Sequence, residues 1–336
     1  MAVTFTRRKL ESSLLDELEA HRLVVVTGPR GAGKTTLLQG LRARWRGVAA
    51  LVQMEPVACS PEVLRSAFAE LAGEALGRVT SAMTLHEAVG KRARGSLLLL
   101  DDIAELRTLS YYPGVEKPLD GFLAAIASAK EATVVTSRFG FWMRRHFPEL
   151  HYLSLPPLSV EELESAGVRE PELVAAATGG LAVHARHLAD GDVEETLSDE
   201  LERGGRIDAE CRATYAELLH RARGYGACKW VLRILADEEG LNLTEVARRM
   251  DRTPGSARDY LLWLEEVDLL VARKKRYFYI DPILRLWMRV HGQGCLVTQA
   301  DIQREVRAHL ESVEGEVTED AFRLPPRPSE NLVEFD

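Results

Sequence analysis

An apolar, β-rich run, Leu23-Val24-Val25-Val26-Thr27, empties directly into Gly28-Pro29-Arg30-Gly31-Ala32-Gly33-Lys34-Thr35-Thr36, which has the spacing G-x-x-x-x-G-K-T. Few structures need that spacing. A buried strand must end, the backbone must wrap tightly enough to aim several N–H groups at one point, and a helix must begin at once. Glycines 28, 31 and 33 allow the wrap, and phosphate oxygens are what the N–H groups suit. Lys34 adds a mobile cation for the β- and γ-phosphates, and the Thr35 hydroxyl is a ligand for Mg²⁺. The following helix, Lys34 to Arg44 with Leu37, Leu38 and Leu41 on one face, turns the positive end of its dipole to the same point. A glycine turn that binds nothing does not account for strand, loop, Lys-Thr and amphipathic helix arriving in this order. The segment predicts a nucleoside triphosphate site.

Length and composition are permissive. A chain of 336 residues, 46% hydrophobic and 28% charged, has room for two or three cores. No run reaches the roughly 18 apolar residues of a membrane span, and Met1 to Leu10 lacks a signal-peptide core. The four cysteines (Cys59, Cys211, Cys228, Cys295) show no C-x-x-C spacing and read as incidental thiols of a cytoplasmic protein. The net charge of −8 argues against a nonspecific coat for nucleic acid. Six of those negative charges fall between Glu311 and Asp336, so the charge of the whole decides little about DNA.

Periodicity predicts a helix over Arg8–His21, then strands at Val48–Met54, Ser96–Asp101, Ala132–Thr136 and Tyr152–Leu155. Helices over Pro61–Leu76, Thr84–Arg92 and Leu119–Ala129 lie between them. That alternation is the mark of an α/β fold with a parallel sheet covered on both faces. Past Pro156-Pro157 only helices are expected: Ser159–Ala166, Pro171–Ala177, Leu181–Ala189 and Asp208–Arg223. Residues 229–289 read helix (Trp230–Asp237), helix (Asn242–Met250, with Thr244 as N-cap), turn, helix (Gly255–Val267) and a strand pair around Lys274-Lys275. This is the order of a winged helix-turn-helix. A last helix covers Gln299–Ser312, and the acidic, proline-containing remainder is expected to be disordered.

Leu97-Leu98-Leu99-Leu100-Asp101-Asp102 has the form of a strand whose carboxylates emerge where open α/β sheets bind ligands. Asp101 is placed to hold the Mg²⁺ shell opposite Thr35, and Asp102 to orient or deprotonate an attacking water. Asp102 is one methylene shorter than the glutamate common there in fast ATPases, so slow turnover is expected. Glu105 is a weaker candidate for the same role. In the strand order of P-loop ATPases with an inserted strand, Thr133–Arg138 lies between the first strand and the Asp101 strand. Thr136 or Ser137 then reaches phosphate or water, and Arg138 senses γ-phosphate charge. The plain alternative is a surface arginine after an ordinary strand, and Arg144 and Arg145 compete for the same part. Ala177-Thr178-Gly179-Gly180-Leu181-Ala182 reads most simply as a helix C-cap.

Taken in order, GPRGAGKTT (28–36), LLLLDD (97–102), VVTSR (134–138), LPPLSVEEL (155–163), ATGGLAV (177–183) and RYFYIDPILRLW (276–287) resemble the STAND class of P-loop ATPases. The closest look is to the archaeal-type ATPases also found in bacteria. The resemblance, over about residues 5–292, implies an ATPase core (1–156), a helical lid (157–224), a winged helix-turn-helix (225–292) and a C-terminal helix with an acidic tail (293–336). It implies ATP with Mg²⁺ as ligand, a nucleotide-dependent switch as function, an unidentified protein partner and possible homo-oligomers. Ala182 stands where relatives carry a proline against adenine, while Gly179 and Gly180 remain candidates to line the base pocket.

Two further readings compete. Arg273-Lys274-Lys275-Arg276 is the one strong basic cluster, suited to duplex phosphates in an initiator-like ATPase or to a solvated hairpin tip. The helix Gly255–Val267 offers Arg258 but also Asp259, Glu265 and Glu266, unlike a base-reading helix. A small-molecule kinase fits poorly, having no use for a helical lid and winged helix.

Overall fold

The structure, a computed structural model, describes residues 5, 7–71, 94–113, 115–221, 225–292, 294 and 296–313. The expected helix over Thr84–Arg92, the end of the one begun at Pro61 and the acidic tail lie outside these residues.

The first layer system is a five-stranded sheet in the order β2-β3-β4-β1-β5, with every neighbouring pair parallel. Its strands are β1 (Leu23–Thr27), β2 (Ala49–Gln53), β3 (Leu97–Asp101), β4 (Ala132–Ser137) and β5 (His151–Ser154). β1, β3 and β4 are buried along their whole length, as continuous apolar runs in a parallel sheet should be. Helices α1 (Arg8–Ala20) and α2 (Lys34–Arg44) cover one face through Leu14, Leu18, Leu37, Leu38 and Leu41. The other face carries α3 (Met54–Val57), α4 (Pro61–Leu71), a 3-10 helix (Ile103–Tyr111) and α5 (Pro118–Ala127), with Phe68, Phe122 and Ile126 in its core. β4 pairs with both β1 and β3, the inserted position expected from sequence.

Beyond α6 (Gly140–His146) and β5 the chain is helical: α7 (Val160–Ser165), α8 (Pro171–Thr178), α9 (Ala182–Ala185), α10 (Val193–Leu201) and α11 (Arg206–Arg221). The expected helix Leu181–Ala189 forms only over Ala182–Ala185. Helix α10 was not anticipated, although Asp192 accepts from the Glu195 N–H at its start, a capping signal present in the sequence.

Three helices follow, α12 (Tyr225–Asp237), α13 (Leu243–Arg249) and α14 (Pro254–Glu266), then the hairpin β7 (Leu270–Arg273) and β8 (Arg276–Tyr279). A short strand β6 (Leu241–Asn242) joins β8 to complete a three-stranded antiparallel sheet. The N-cap of α13 is Asn242, not Thr244: its side chain and that of Glu245 form a reciprocal capping box. Thr253 caps α14 ahead of Pro254. Helices α15 (Pro282–His291) and α16 (Gln299–Val313) close the chain. Helices α7–α16 share one continuous apolar core, from Leu158 to Leu310.

Polar contacts from Asp268 and Glu266 dock the C-terminal unit on the sheet domain. Asp268 accepts from the N–H groups of Gly140 (2.8 Å) and Phe141 (3.4 Å), and Arg145 pairs with Glu266 at 2.9 Å. Burial pushes the Asp268 carboxyl up to about 7, against the two N–H groups and the nearby Lys34 and Arg144. An acid whose folded-state value is raised holds its proton in the native state while the unfolded chain releases it. Stability therefore falls as pH climbs from about 4 to 7, by up to about 1.4 kcal/mol per pH unit. Glu265, raised to about 7 by burial, acts in the same direction. The melting midpoint should drop between pH 5 and pH 7.5, and Asp268→Asn should flatten that drop; an unchanged slope would refute the assignment.

Candidate functional site

The loop between β1 and α2 is held from outside as well as by its own glycines. Gly31 sits at φ +80°, and a Cβ there would lie 2.2 Å from Val183 Cγ1 of α9. The Gly31 carbonyl accepts from the Val183 N–H at 3.0 Å, so α9 and the loop touch backbone to backbone. Gly31→Ala must therefore push α9 away and adopt a left-handed conformation. A loss of about 1–3 kcal/mol is expected in denaturant unfolding; a loss below 0.5 kcal/mol on the order-of-magnitude scale of surface changes would contradict the close approach.

Lys34 is buried, and its ammonium donates to the carbonyls of Gly28 (2.7 Å) and Pro29 (2.8 Å). Burial lowers it to about 8, partly opposed by Asp102, Asp268 and Asp101. Thr35 Oγ1 donates to Asp101 Oδ2 at 2.6 Å, joining the start of α2 to the tip of β3. The other Asp101 oxygen accepts from Thr136 Oγ1 at 2.6 Å, and Thr136 Oγ1 accepts in turn from the Asp102 N–H at 2.8 Å. Residues 35, 101, 102 and 136 are thus one hydrogen-bonded group, and Lys34 feels Asp101 and Asp102 through their charge. The oxygen-only pair of Thr35 and Asp101 suits a hard cation such as Mg²⁺.

Asp102 leaves β3 at φ 60°, a left-handed turn that swings its carboxylate toward β4. There Arg138 donates to it through Nε, and also to Glu217 of α11. Arg138 further lies 3.4 Å from Glu105 and 3.5 Å from Glu55. Burial acts to lower the Arg138 guanidinium, but Asp102 and the glutamates outweigh it and raise it. Glu105 is engaged by Arg221 of α11 at 2.8 and 3.2 Å. Arg30, from the loop itself, also pairs with Glu217. Arg144, the rival to Arg138, points elsewhere: it lies over the Tyr152 ring and donates to Thr27 Oγ1 at 3.3 Å.

A cavity of about 720 Å³, within the size range of small-molecule sites, opens beside these groups. Arg30 to Thr36, Asp101, Asp102 and Arg138 form one part of its wall, and Phe5, Arg7, Leu158, Ala182, Val183 and Arg186 another. Gly28 and Pro29 contribute through their carbonyls to Lys34, and Thr136 through Asp101. Gly180 stands behind the wall: its φ is +68°, its carbonyl accepts from Leu158 N–H, and a Cβ would strike Leu158 at 2.7 Å. Gly179 caps α8 in the left-handed conformation.

Sequence reasoning missed Glu217 and Arg7. Arg7 is buried, donates to the carbonyls of Pro156 (2.6 Å) and Pro157 (3.0 Å) and pairs with Glu162 at 3.1 Å. No local pattern marks either residue, because their partners lie on remote segments. In the wing cluster Lys274, Lys275 and Arg276 are exposed, Arg276 also donates to the Gly240 carbonyl at 2.5 Å, and Arg273 lies 5.7 Å from the Phe278 ring centre.

Among solved structures, a Walker-type ATPase of Pyrococcus abyssi resembles this chain with a TM-score of 0.64 at 16% identity, covering 85% of this chain and 96% of that one. The RuvB Holliday junction branch migration motor of Thermotoga maritima aligns at a TM-score of 0.38 and 16% identity, over 82% of this chain and 92% of its own. No curated protein matches. No described helix is long and apolar enough to cross a membrane. The sequence pattern of the novel STAND NTPase 1 family matches residues 2–205, which span the loop, the Asp101 strand, the Arg138 strand and the lid's contact with Gly31. With more than half of its length so matched, the chain belongs to the novel STAND NTPase 1 family of nucleotide-binding P-loop NTPases.

Proposed function

We propose that this protein is a slow ATPase whose bound nucleotide sets the position of the helical lid. Lys34 and the loop N–H groups hold the phosphates, and Thr35 and Asp101 hold Mg²⁺. The metal supplies charge neutralisation between the β- and γ-phosphates when bound. Asp102 orients or deprotonates the attacking water, and Arg138 reads the γ-phosphate.

The observation that carries the switch reading is Glu217. This lid carboxylate pairs with both Arg30 of the phosphate loop and Arg138, which directly follows β4. Two arginines in a phosphate cavity are the groups a γ-phosphate would claim. A triphosphate then competes with Glu217, whereas a diphosphate leaves the lid pairing in place. ATP and ADP affinities of the parent and of Glu217→Gln test this by calorimetry. ATP binding should tighten by about tenfold, the value of one charge-assisted contact, with ADP binding nearly unchanged. Equal effects on both nucleotides would remove Glu217 as the discriminating contact. Light scattering with ADP and with a non-hydrolysable ATP analogue tests whether the switch also governs homo-oligomer assembly.

A second reading, an initiator-like ATPase that binds duplex DNA, is favoured by the exposed pair Lys274 and Lys275 at the hairpin tip. Against it, the far end of α14 is occupied by the sheet domain through Glu266. Anisotropy of labelled duplex over a salt series separates the two: a steep fall of affinity with salt supports DNA binding, and negligible binding with ATP present removes it.

A further inference from the structure

Three ligand-type side chains meet far from the phosphate loop. Glu17 lies in the last turn of α1, His21 is the residue that caps that helix, and His151 opens β5. Glu17 Oε2 is 3.0 Å from His151 Nε2 and 3.9 Å from His21 Nε2. The two imidazoles stack with centroids 3.7 Å and planes 8° apart. One donor atom from each residue lies within 4.8 Å of the other two.

A helical Glu–His pair four residues apart explains Glu17 and His21 but not His151, which arrives from a strand 130 residues later. Four-coordinate zinc, with bonds of about 2.0–2.1 Å, holds its ligand atoms on the order of 3.3 Å apart. The Glu17 distances bracket that spacing, so modest rotations that splay the stacked rings bring all three donors onto one ion. The backbone beneath them is fixed. Leu14 and Leu18 anchor α1 in the core, and His151 is in register with Val24 of the buried strand β1. The side chains are 36%, 45% and 32% exposed for Glu17, His21 and His151, which leaves a fourth position for water. Two imidazoles and one carboxylate select zinc-class transition ions over Mg²⁺.

We propose that Glu17, His21 and His151 bind one zinc-class divalent ion, which pins the end of α1 to the edge strand β5. The site sits at the opening end of the strands, whereas the phosphate loop follows their closing end. It is a clamp on the helix whose other end bears the cavity residues Arg7 and Glu11, and it plays no part in the chemistry.

The test uses the full-length protein, stripped with chelator and exchanged into chelator-free buffer. Zn²⁺ is titrated by calorimetry and Co²⁺ by visible absorption. One equivalent should bind, Co²⁺ should show the intense bands of tetrahedral coordination, and saturating Zn²⁺ should raise the melting temperature. His21→Ala and His151→Ala should each weaken Zn²⁺ binding at least about tenfold and abolish the melting shift. Without metal, both variants should melt within a degree or two of the parent. Absence of one-equivalent binding overturns the proposal. So does unchanged binding in the doubly substituted protein, which would move the ion to other groups such as the exposed thiol of Cys59. None of these outcomes depends on nucleotide, so they are distinguishable from a failure of the ATPase reading.

Discussion

Lys34→Ala should reduce triphosphate affinity by roughly 10²–10⁴-fold, the value of charge-assisted contacts to two phosphates at about 1.5–3 kcal/mol each. The reasoning rests on burial. The ammonium is buried, donates to two loop carbonyls, and is held down at about 8 by loss of water. A cation so poorly solvated gains more from an arriving anion than an exposed lysine would. The same argument has a signed consequence for protons. Phosphate oxygens raise a lysine that stands near 8, so binding at pH 8.5 should take up protons in the parent and not in the variant. Calorimetry in buffers of different ionisation enthalpy reads both quantities at once. Unchanged affinity would mean that Lys34 serves only to tie the loop.

Asp102→Asn should lower turnover by about 10²–10⁴-fold, the range for removing a positioned general base, while changing affinity by less than about threefold. The substitution is mild for the fold. Asparagine tolerates the left-handed backbone that Asp102 adopts at φ 60°, and the N–H that donates to Thr136 is untouched. What is lost is the charge that faces Arg138. Phosphate release under saturating nucleotide is the measurement, and hydrolysis at the parent rate would take the water-handling role away from this residue. Glu105 is poorly suited to inherit it, since both its oxygens are engaged by Arg221.

Much of this site was legible in advance because its parts are local. A strand, a glycine loop and a helix occupy adjacent residues, and backbone preference with apolar spacing suffices to order them. The β4 insertion was legible for a weaker reason: Thr136 and Arg138 end an apolar run, and the pairing of β4 with β1 and β3 puts them beside Asp101. Helix α10 carried its capping signal at Asp192 and Glu195, yet its apolar face is short and was not anticipated.

The rest depended on contacts between remote segments. Glu217 reaches Arg138 across 79 residues, Asp268 reaches Gly140 across 128, and Arg7 reaches Glu162 across 155. Nothing in the neighbourhood of a glutamate at 217 separates it from any solvated helix acid. The amino-acid order settled where a glycine loop joins strand to helix and which strand tip bears the carboxylates, because those are properties of consecutive residues. Which charges seal the cavity, and whether lid and C-terminal unit lie against it, was decided only by packing one shared apolar core across 150 residues of chain.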